Sequence, residues 1–228
     1  MKPSIQFSFF LLFTLALHAS AADPGSATPK VVLVGDSIRL SYEAKVRQRL
    51  GDTAVVSSPK ANGGDSGNVL RHLEMWVIRE RPDVVHFNCG IHDTKHFTKT
   101  GRFQVSPEQY EANLREIVTR IRAETRAVVL FATSTPILND RAAGRRQGRD
   151  YVLTGEAIQQ YNAIARSVMK ELGVPVNDLH AALTEKPDTN RSAEKLIGAD
   201  GVHLTPEARE LLGEIVADFI RPRLKADR

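Results

Sequence analysis

The chain has one cysteine, Cys89, so it holds no internal disulfide and its stability rests on a packed core. Charge of one sign is equally scarce. With 31 Lys and Arg against 27 Asp and Glu, the formal charge is only +4, short of the clustered basic face that a nucleic-acid partner requires. Beyond the first 22 residues no apolar run is long enough to cross a bilayer. No internal repeat or low-complexity tract occurs either, which excludes a repeat array. What remains is the make-up of one ordinary globular domain, with 42% hydrophobic and 25% charged residues among 228.

The first residues, MKPSIQFSFFLLFTLALHASAADPG, read as an address. Lys2 supplies a positive start, Ile5 to Leu17 is apolar but short for a span, and Ala19-Ser20-Ala21 offers an A-x-A cleavage site. The pattern predicts a signal peptide over residues 1–22, a flexible polar lead-in over 23–29 and a folded domain over 30–224. An uncleaved anchor is the alternative, although no stop-transfer pattern follows. Cleavage removes Lys2 and lowers the net charge to +3. The mature chain is expected in a periplasm or outside the cell, without lasting membrane association.

Short β-branched runs alternate with longer amphipathic stretches. KVVLV (30–34), AVVSS (54–58), DVVHFN (83–88), AVVLFAT (127–133) and the weaker VPVND (174–178) have the near-continuous apolar character of strands covered on both faces. Between them, residues 108–122 and 156–172 place apolar side chains on helical stripes, and residues 67–79 are a further helix. The last helix is signalled by Thr205 as N-cap, Pro206 at the first position and Glu207 in the first turn. Repeated strand and helix units predict an α/β fold: a three-layer α/β/α sandwich around a mostly parallel five-stranded sheet. Ligand sites in such folds form at the carboxyl ends of strands.

The tripeptide Gly-Asp-Ser occurs at 35–37 and again at 64–66. Ser37 follows the run VVLV and Gly35 directly and precedes a helix-compatible stretch, so its hydroxyl falls where a strand turns into a helix. There the unpaired amides of the first helical turn can stabilise an oxyanion beside the attacking group. Ser66 sits in a glycine-rich loop and reads as a turn or N-cap residue. GDSG (64–67) also resembles the serine motif of chymotrypsin-like proteases, but those are all-β whereas this chain has strong helical stripes. The G-x-S-x-G elbow fails at Ser37 because Arg39 occupies the second glycine position.

A serine needs a base, and among seven histidines His203 stands out, in GADGVHLTPEA with Asp200 three residues earlier. That D-x-x-H spacing on a tight loop brings a carboxylate near the imidazole to hold its tautomer. The alternative is an Asp turn with an exposed histidine.

Together these residues resemble the SGNH (GDSL-type) hydrolases. GDSI (35–38) matches the nucleophile block with Ser37, and DGVH (200–203) matches the block that completes a Ser-His-Asp triad. NGGDSG (62–67) is similar to the second block and places Gly67 at the oxyanion-hole glycine. The third block departs from the pattern: the family's G-x-N-D is GIHD (90–93) here, with His92 where the asparagine donor is expected. Neutral imidazole retains one N–H, so the role can survive. The resemblance implies a flavodoxin-like sheet and an oxyanion hole formed by Ser37, Gly67 and His92. Asp36, Asp93 and His96 are the expected substrate-side residues, Asp93 also being suited to hold its loop, while Asn88 reads as structural.

HDTKH (92–96) has the spacing of a zinc helix but follows a strand and is flanked by Gly90 and Gly101, so no metal is expected. Lys95, His96 and Lys99 rim the cleft. Residues 135–154, with Arg141, Arg145, Arg146 and Arg149, are irregular and read either as a solvated basic loop or as a flap over the site. Trp76 and Cys89 read as core. The resulting expectation is an exported serine esterase, without cofactor, acting on short-chain, chiefly acetyl, esters of small molecules or carbohydrates. Alternatives are a lysophospholipase or thioesterase, a metallohydrolase using residues 92–96, and an inactive carbohydrate-binding protein.

Overall fold

The computed structural model describes residues 27–184 and 192–224. The expected signal peptide, 1–22, and the 23–26 part of the lead-in lie outside the described residues. In chain order the elements are β1 (Lys30–Val34), α1 (Ser37–Leu50), β2 (Val55–Ser57), α2 (Ser66–Trp76), β3 (Val84–Phe87), β4 (His96–Phe97), β5 (Arg102–Phe103), α3 (Pro107–Glu124), β6 (Val128–Ala132), α4 (Asn139–Arg145), β7 (Tyr151–Val152), α5 (Gly155–Glu171), β8 (Val176–Asn177), α6 (Leu179–Thr184), α7 (Ala193–Leu196) and α8 (Pro206–Ile220). No helix among the described residues is long and apolar enough to cross a membrane.

The principal sheet has five strands in the order β2-β1-β3-β6-β8, all paired in parallel. Alternation along its buried strands divides the core into two layers. Val31, Leu33 and Leu130 face α1 and α8, whereas Val32, Val34, Phe87 and Phe131 face α2, α3 and α5. The direction of strand order reverses between β1 and β3. In an open α/β sheet that reversal leaves a crevice at the carboxyl ends of the two strands. The loops carrying Ser37 and His92 leave the sheet on either side of it.

The helix starts follow their caps. Asp36, Asp65, Ser106, Thr154 and Thr205 each accept an amide hydrogen bond at the N-termini of α1, α2, α3, α5 and α8. Residues 135–154, expected to be irregular, contain α4 and β7, and β7 joins β4 and β5 in a separate antiparallel sheet of order β5-β4-β7. Strands of two residues are too short to show a period-2 pattern, so the sequence carries no signal for them.

One buried cation fixes the start of α1. Arg39 is wholly inaccessible, and its guanidinium donates to the carbonyls of Gly35 (3.1 Å), Pro59 (3.0 Å) and Ala61 (2.9 Å) and to the Glu43 carboxylate (2.5 Å). It thereby sews the β1–α1 turn to the loop between β2 and α2. The Gly63 amide adds a hydrogen bond to Gly35 O at 2.9 Å, and a Cβ at residue 63 would lie only 2.7 Å from that oxygen. Arg39→Met is expected to destabilise the fold by about 3–5 kcal/mol, because it leaves the Pro59 and Ala61 carbonyls without this donor and removes the buried cation that pairs with Glu43, which keeps only Ser58 and Arg47. Urea unfolding checks this, and a loss below about 1 kcal/mol, the scale of an exposed pair, would contradict the clamp.

Candidate active site

Ser37 is the first residue of α1, half-buried, directly after the end of β1. Its Oγ lies 3.0 Å from Nε2 of His203. On the other side of the ring, His203 Nδ1 forms a short hydrogen bond with Asp200 Oδ2, while Asp200 Oδ1 accepts from the amides of His203 (2.9 Å) and Val202 (3.1 Å). Partial burial raises the Asp200 carboxyl, but the hydrogen bonds from the His203 ring and from these two amides outweigh it and hold the group at about 2. An ionised carboxylate is an acceptor only, so Nδ1 carries the proton and Nε2 is left with its lone pair toward the serine hydroxyl. That is the arrangement a general base needs before it can take a proton from Ser37.

The loop bearing His203 is held from several sides. Gly198 N donates to His203 O (2.7 Å), Thr205 N to Leu196 O (3.0 Å), and Thr205 then caps α8. Gly201 adopts φ +74°, and a Cβ there would come within 2.4 Å of Ala142 N and 2.6 Å of Leu138 O, so only glycine lets the loop lie against α4. Arg146 donates to Asp200 O (3.0 Å), and Arg141 to Ile197 O (2.8 Å) and Glu194 O (2.9 Å). Two of the four arginines expected in a solvated loop or flap therefore brace the triad's own loop.

Residues 25–211 match the sequence profile of the family described as GDSL-like Lipase/Acylhydrolase. The chain belongs to this family. Its similarity extends to the mouse protein named isoamyl acetate-hydrolyzing esterase 1 homolog, 27% identical over 212 residues and covering 84% of this chain and 82% of the relative. Among solved structures, a lipase/acylhydrolase from Enterococcus faecalis superposes with a TM-score of 0.69 at 25% identity, covering 88% of this chain and 99% of the other. An acetylxylan esterase from Geobacillus stearothermophilus shares the fold with a TM-score of 0.65 at 20% identity, over 87% and 95% of the two chains.

The two Gly-Asp-Ser serines of this acylhydrolase differ sharply. Ser66 is completely buried at the start of α2, where its Oγ donates to Asp93 Oδ1 (2.5 Å) and accepts from Asn113 Nδ2 (2.8 Å). Asp93 also takes the Ser66 amide (2.9 Å), so the turn after β3 is tied to the start of α2. Burial pushes the Asp93 carboxyl up to about 7, against the pull of these hydrogen bonds. Asp36 is likewise inaccessible, accepts the Ile38 amide at 2.9 Å, and is raised by burial. Neither carboxylate opens to solvent, so the expectation that Asp36 and Asp93 contact substrate is corrected: both hold backbone in place, the role also expected of Asp93.

His92 is half-buried in the turn after β3. Burial, reinforced by the charge of Lys95 and more weakly by that of His203, lowers its imidazole to about 4. The low value leaves it neutral with one N–H to donate, and the turn that carries it follows the carboxyl end of β3, the neighbour of β1 in the sheet. His96 is corrected in position. It belongs to β4, packs edge-to-face on Phe103 at 5.0 Å, and lines a hollow with Thr94, Val152, Thr154 and Gln160 that no triad residue borders. His92 and His96 thus share no helix face, and among the described residues no group of three or more His, Cys, Asp or Glu side chains is arranged to hold a metal ion. His86 is buried within the sheet, where desolvation lowers it to about 4. Cys89 is also fully buried, and burial pushes its thiol up.

Gly67 is the remaining correction. It lies within α2 beside Asp65, Arg71 and Asn113, on a face lined also by Gln104 and Gln109. The glycine packed against the nucleophile turn is Gly63, bonded to Gly35, and the adjacent Gly64, with a φ of +63°, reverses the chain before Asp65 caps α2. The signal for them was the doubled glycine of NGGDSG itself, which places a flexible turn immediately before a capping aspartate.

His92→Ala is expected to lower kcat by about ten- to a thousandfold, the range for loss of one oxyanion donor, with little change in thermal stability. His92→Asn should keep substantial activity, and its pH–rate profile should overlay the parent's above about pH 5, because the parent imidazole stays neutral there. Steady-state kinetics of the two variants check this, and an alanine variant within about twofold of the parent would contradict the role.

Proposed function

We propose that this acylhydrolase is an exported serine esterase that cleaves short-chain, chiefly acetyl, esters, with carbohydrate as the alcohol. The observation that carries the reading is Ser37 Oγ at 3.0 Å from His203 Nε2, with the opposite ring nitrogen bonded to Asp200. Ser37 attacks the ester carbonyl as His203 takes its proton, and a C–O bond forms to give a tetrahedral oxyanion. Collapse expels the alcohol, which receives that proton from His203, and leaves an acyl-Ser37 ester. Water attacks this ester with His203 again as base; the acid departs and Ser37 regains its proton. No cofactor enters the cycle.

The oxyanion in this reading meets the Ser37 amide at the start of α1, His92, and the Gly63–Gly64 turn in place of Gly67. The Gly64 N–H donates to the exposed Asn62 side chain at 2.9 Å, a partner that an incoming oxyanion would replace. The acetyl preference draws support from the mouse relative, which is named for hydrolysis of isoamyl acetate, and from the acetylxylan esterase that shares the fold. Export draws support from the charge, apolar stretch and small-residue site of residues 1–22.

A series of p-nitrophenyl esters from acetate to palmitate tests the reading. The parent is expected to favour acetate over palmitate by more than about tenfold in kcat/KM. Ser37→Ala should lose on the order of 10⁴- to 10⁶-fold in kcat. A fluorophosphonate probe should label the parent at Ser37. Preference for palmitate would point to a lysophospholipase or thioesterase, and retained activity or labelling in the alanine variant would remove Ser37 as nucleophile.

A further inference from the structure

A near-neutral chain conceals a local excess of positive charge. Lys95, Lys99 and Arg102 fall in residues 94–106, which contain no acid, and Arg145 and Arg149 fall in the acid-free stretch 141–149. Pairing of β4 with β7 sets these two distant segments side by side, and the Thr98 amide reinforces the join by donating to Asp150 O at 2.9 Å. None of the five side chains has a carboxylate partner among the described residues, whereas Arg39, Arg115 and Arg166 elsewhere do. Asp150 is the one acid between Arg149 and the start of β7, and it is exposed.

This lobe adjoins the candidate site by two routes. The Lys95 amide donates to His92 O at 3.3 Å, and Arg146, next to Arg145, donates to the carbonyl of Asp200 at 3.0 Å. Lys95 Nζ stands over the Tyr151 ring at 5.4 Å, so it is kept at the rim by an aromatic face and remains open to an anion. Free cations along one flank of a cleft raise the local concentration of an anionic substrate and its encounter rate by about 10- to 1,000-fold at low salt.

We propose that the β5-β4-β7 lobe binds the anionic part of the substrate, and that the alcohol carrying the ester is a carboxylated polysaccharide. The chain would run from the triad across Lys95 and Tyr151 toward Lys99, Arg102 and Arg149. Its identity as a substrate rests on the esterase reading, but its binding does not. A membrane surface would call for several exposed apolar groups, and of the large exposed apolar side chains only Val152 lies here. The overall charge of +4 argues equally against nucleic acid.

The test compares polygalacturonate with its fully methyl-esterified, neutral form, first as ligands and then, acetylated to the same degree, as substrates. The parent is expected to bind and turn over the acidic form at least about tenfold better at low salt, and to lose that preference in about 0.5 M NaCl. The triple variant K99E/R102E/R149E should lose the preference while hydrolysing p-nitrophenyl acetate within about twofold of the parent, since none of the three touches the triad. Equal binding of the two polymers, an undiminished preference in the triple variant, or tighter binding to duplex DNA or phosphatidylglycerol vesicles than to polygalacturonate would overturn the proposal. Failure of the parent on p-nitrophenyl acetate would count against the esterase reading alone, and the binding comparison would still decide the surface.

Discussion

A single contact between Ser37 and His203 joins parts of the chain 166 residues apart, and the chemistry proposed for this protein depends on it. One partner is fixed by the end of β1 and the first turn of α1; the other by the loop that leads into α8. α1 and α8 pack together on the same face of the sheet, so the helices that follow the two loops also hold them in register. A hydroxyl and an imidazole on exposed, unsupported loops would lose this geometry to side-chain and backbone entropy. Here the entropy is removed by groups that never meet substrate: Arg39 beneath the first loop, and Arg141, Arg146 and Gly201 beneath the last.

Burial sorts the titratable groups by task. Asp200 stays ionised because three hydrogen bonds outweigh its desolvation, whereas Asp93 is pushed up to about 7 because burial outweighs its own. The consequence for Asp93 is a stability term of definite sign. Between the ordinary 3.8 and about 7 the folded protein keeps a proton there that the unfolded chain has lost, so this contribution to stability declines as pH rises through that window. His92, lowered to about 4 by burial and by Lys95, is neutral above about pH 5 and there acts only as a single donor.

The sequence was most informative where one element dominates its neighbourhood. β1, β3 and β6 are nearly continuous apolar runs because both faces of the sheet are covered, and the starts of α3 and α8 carry capping residues with proline. Ser37, Asp200 and His203 were legible because each sits at such a boundary. Gly67 was misplaced because spacing alone cannot tell which glycine of a run turns toward the nucleophile; the close approach of Gly63 to Gly35 is a tertiary fact. Asp36 and the bracing arginines were misread for a related reason, whereas the loop-holding role of Asp93 was legible. The partners of the misread residues are backbone amides and carbonyls, which leave no pattern among neighbouring side chains. The β5-β4-β7 sheet was unreadable because its strands contain two residues each.

The most direct test of the central contact is a double-mutant cycle on p-nitrophenyl acetate with Ser37→Ala, His203→Ala and the two combined. If the hydroxyl and the imidazole work as one unit, removal of either already removes the function of the other. The double variant should then fall within about tenfold of the more impaired single variant. Losses that multiply would mean that the two groups act independently, and the account given for this site would fail.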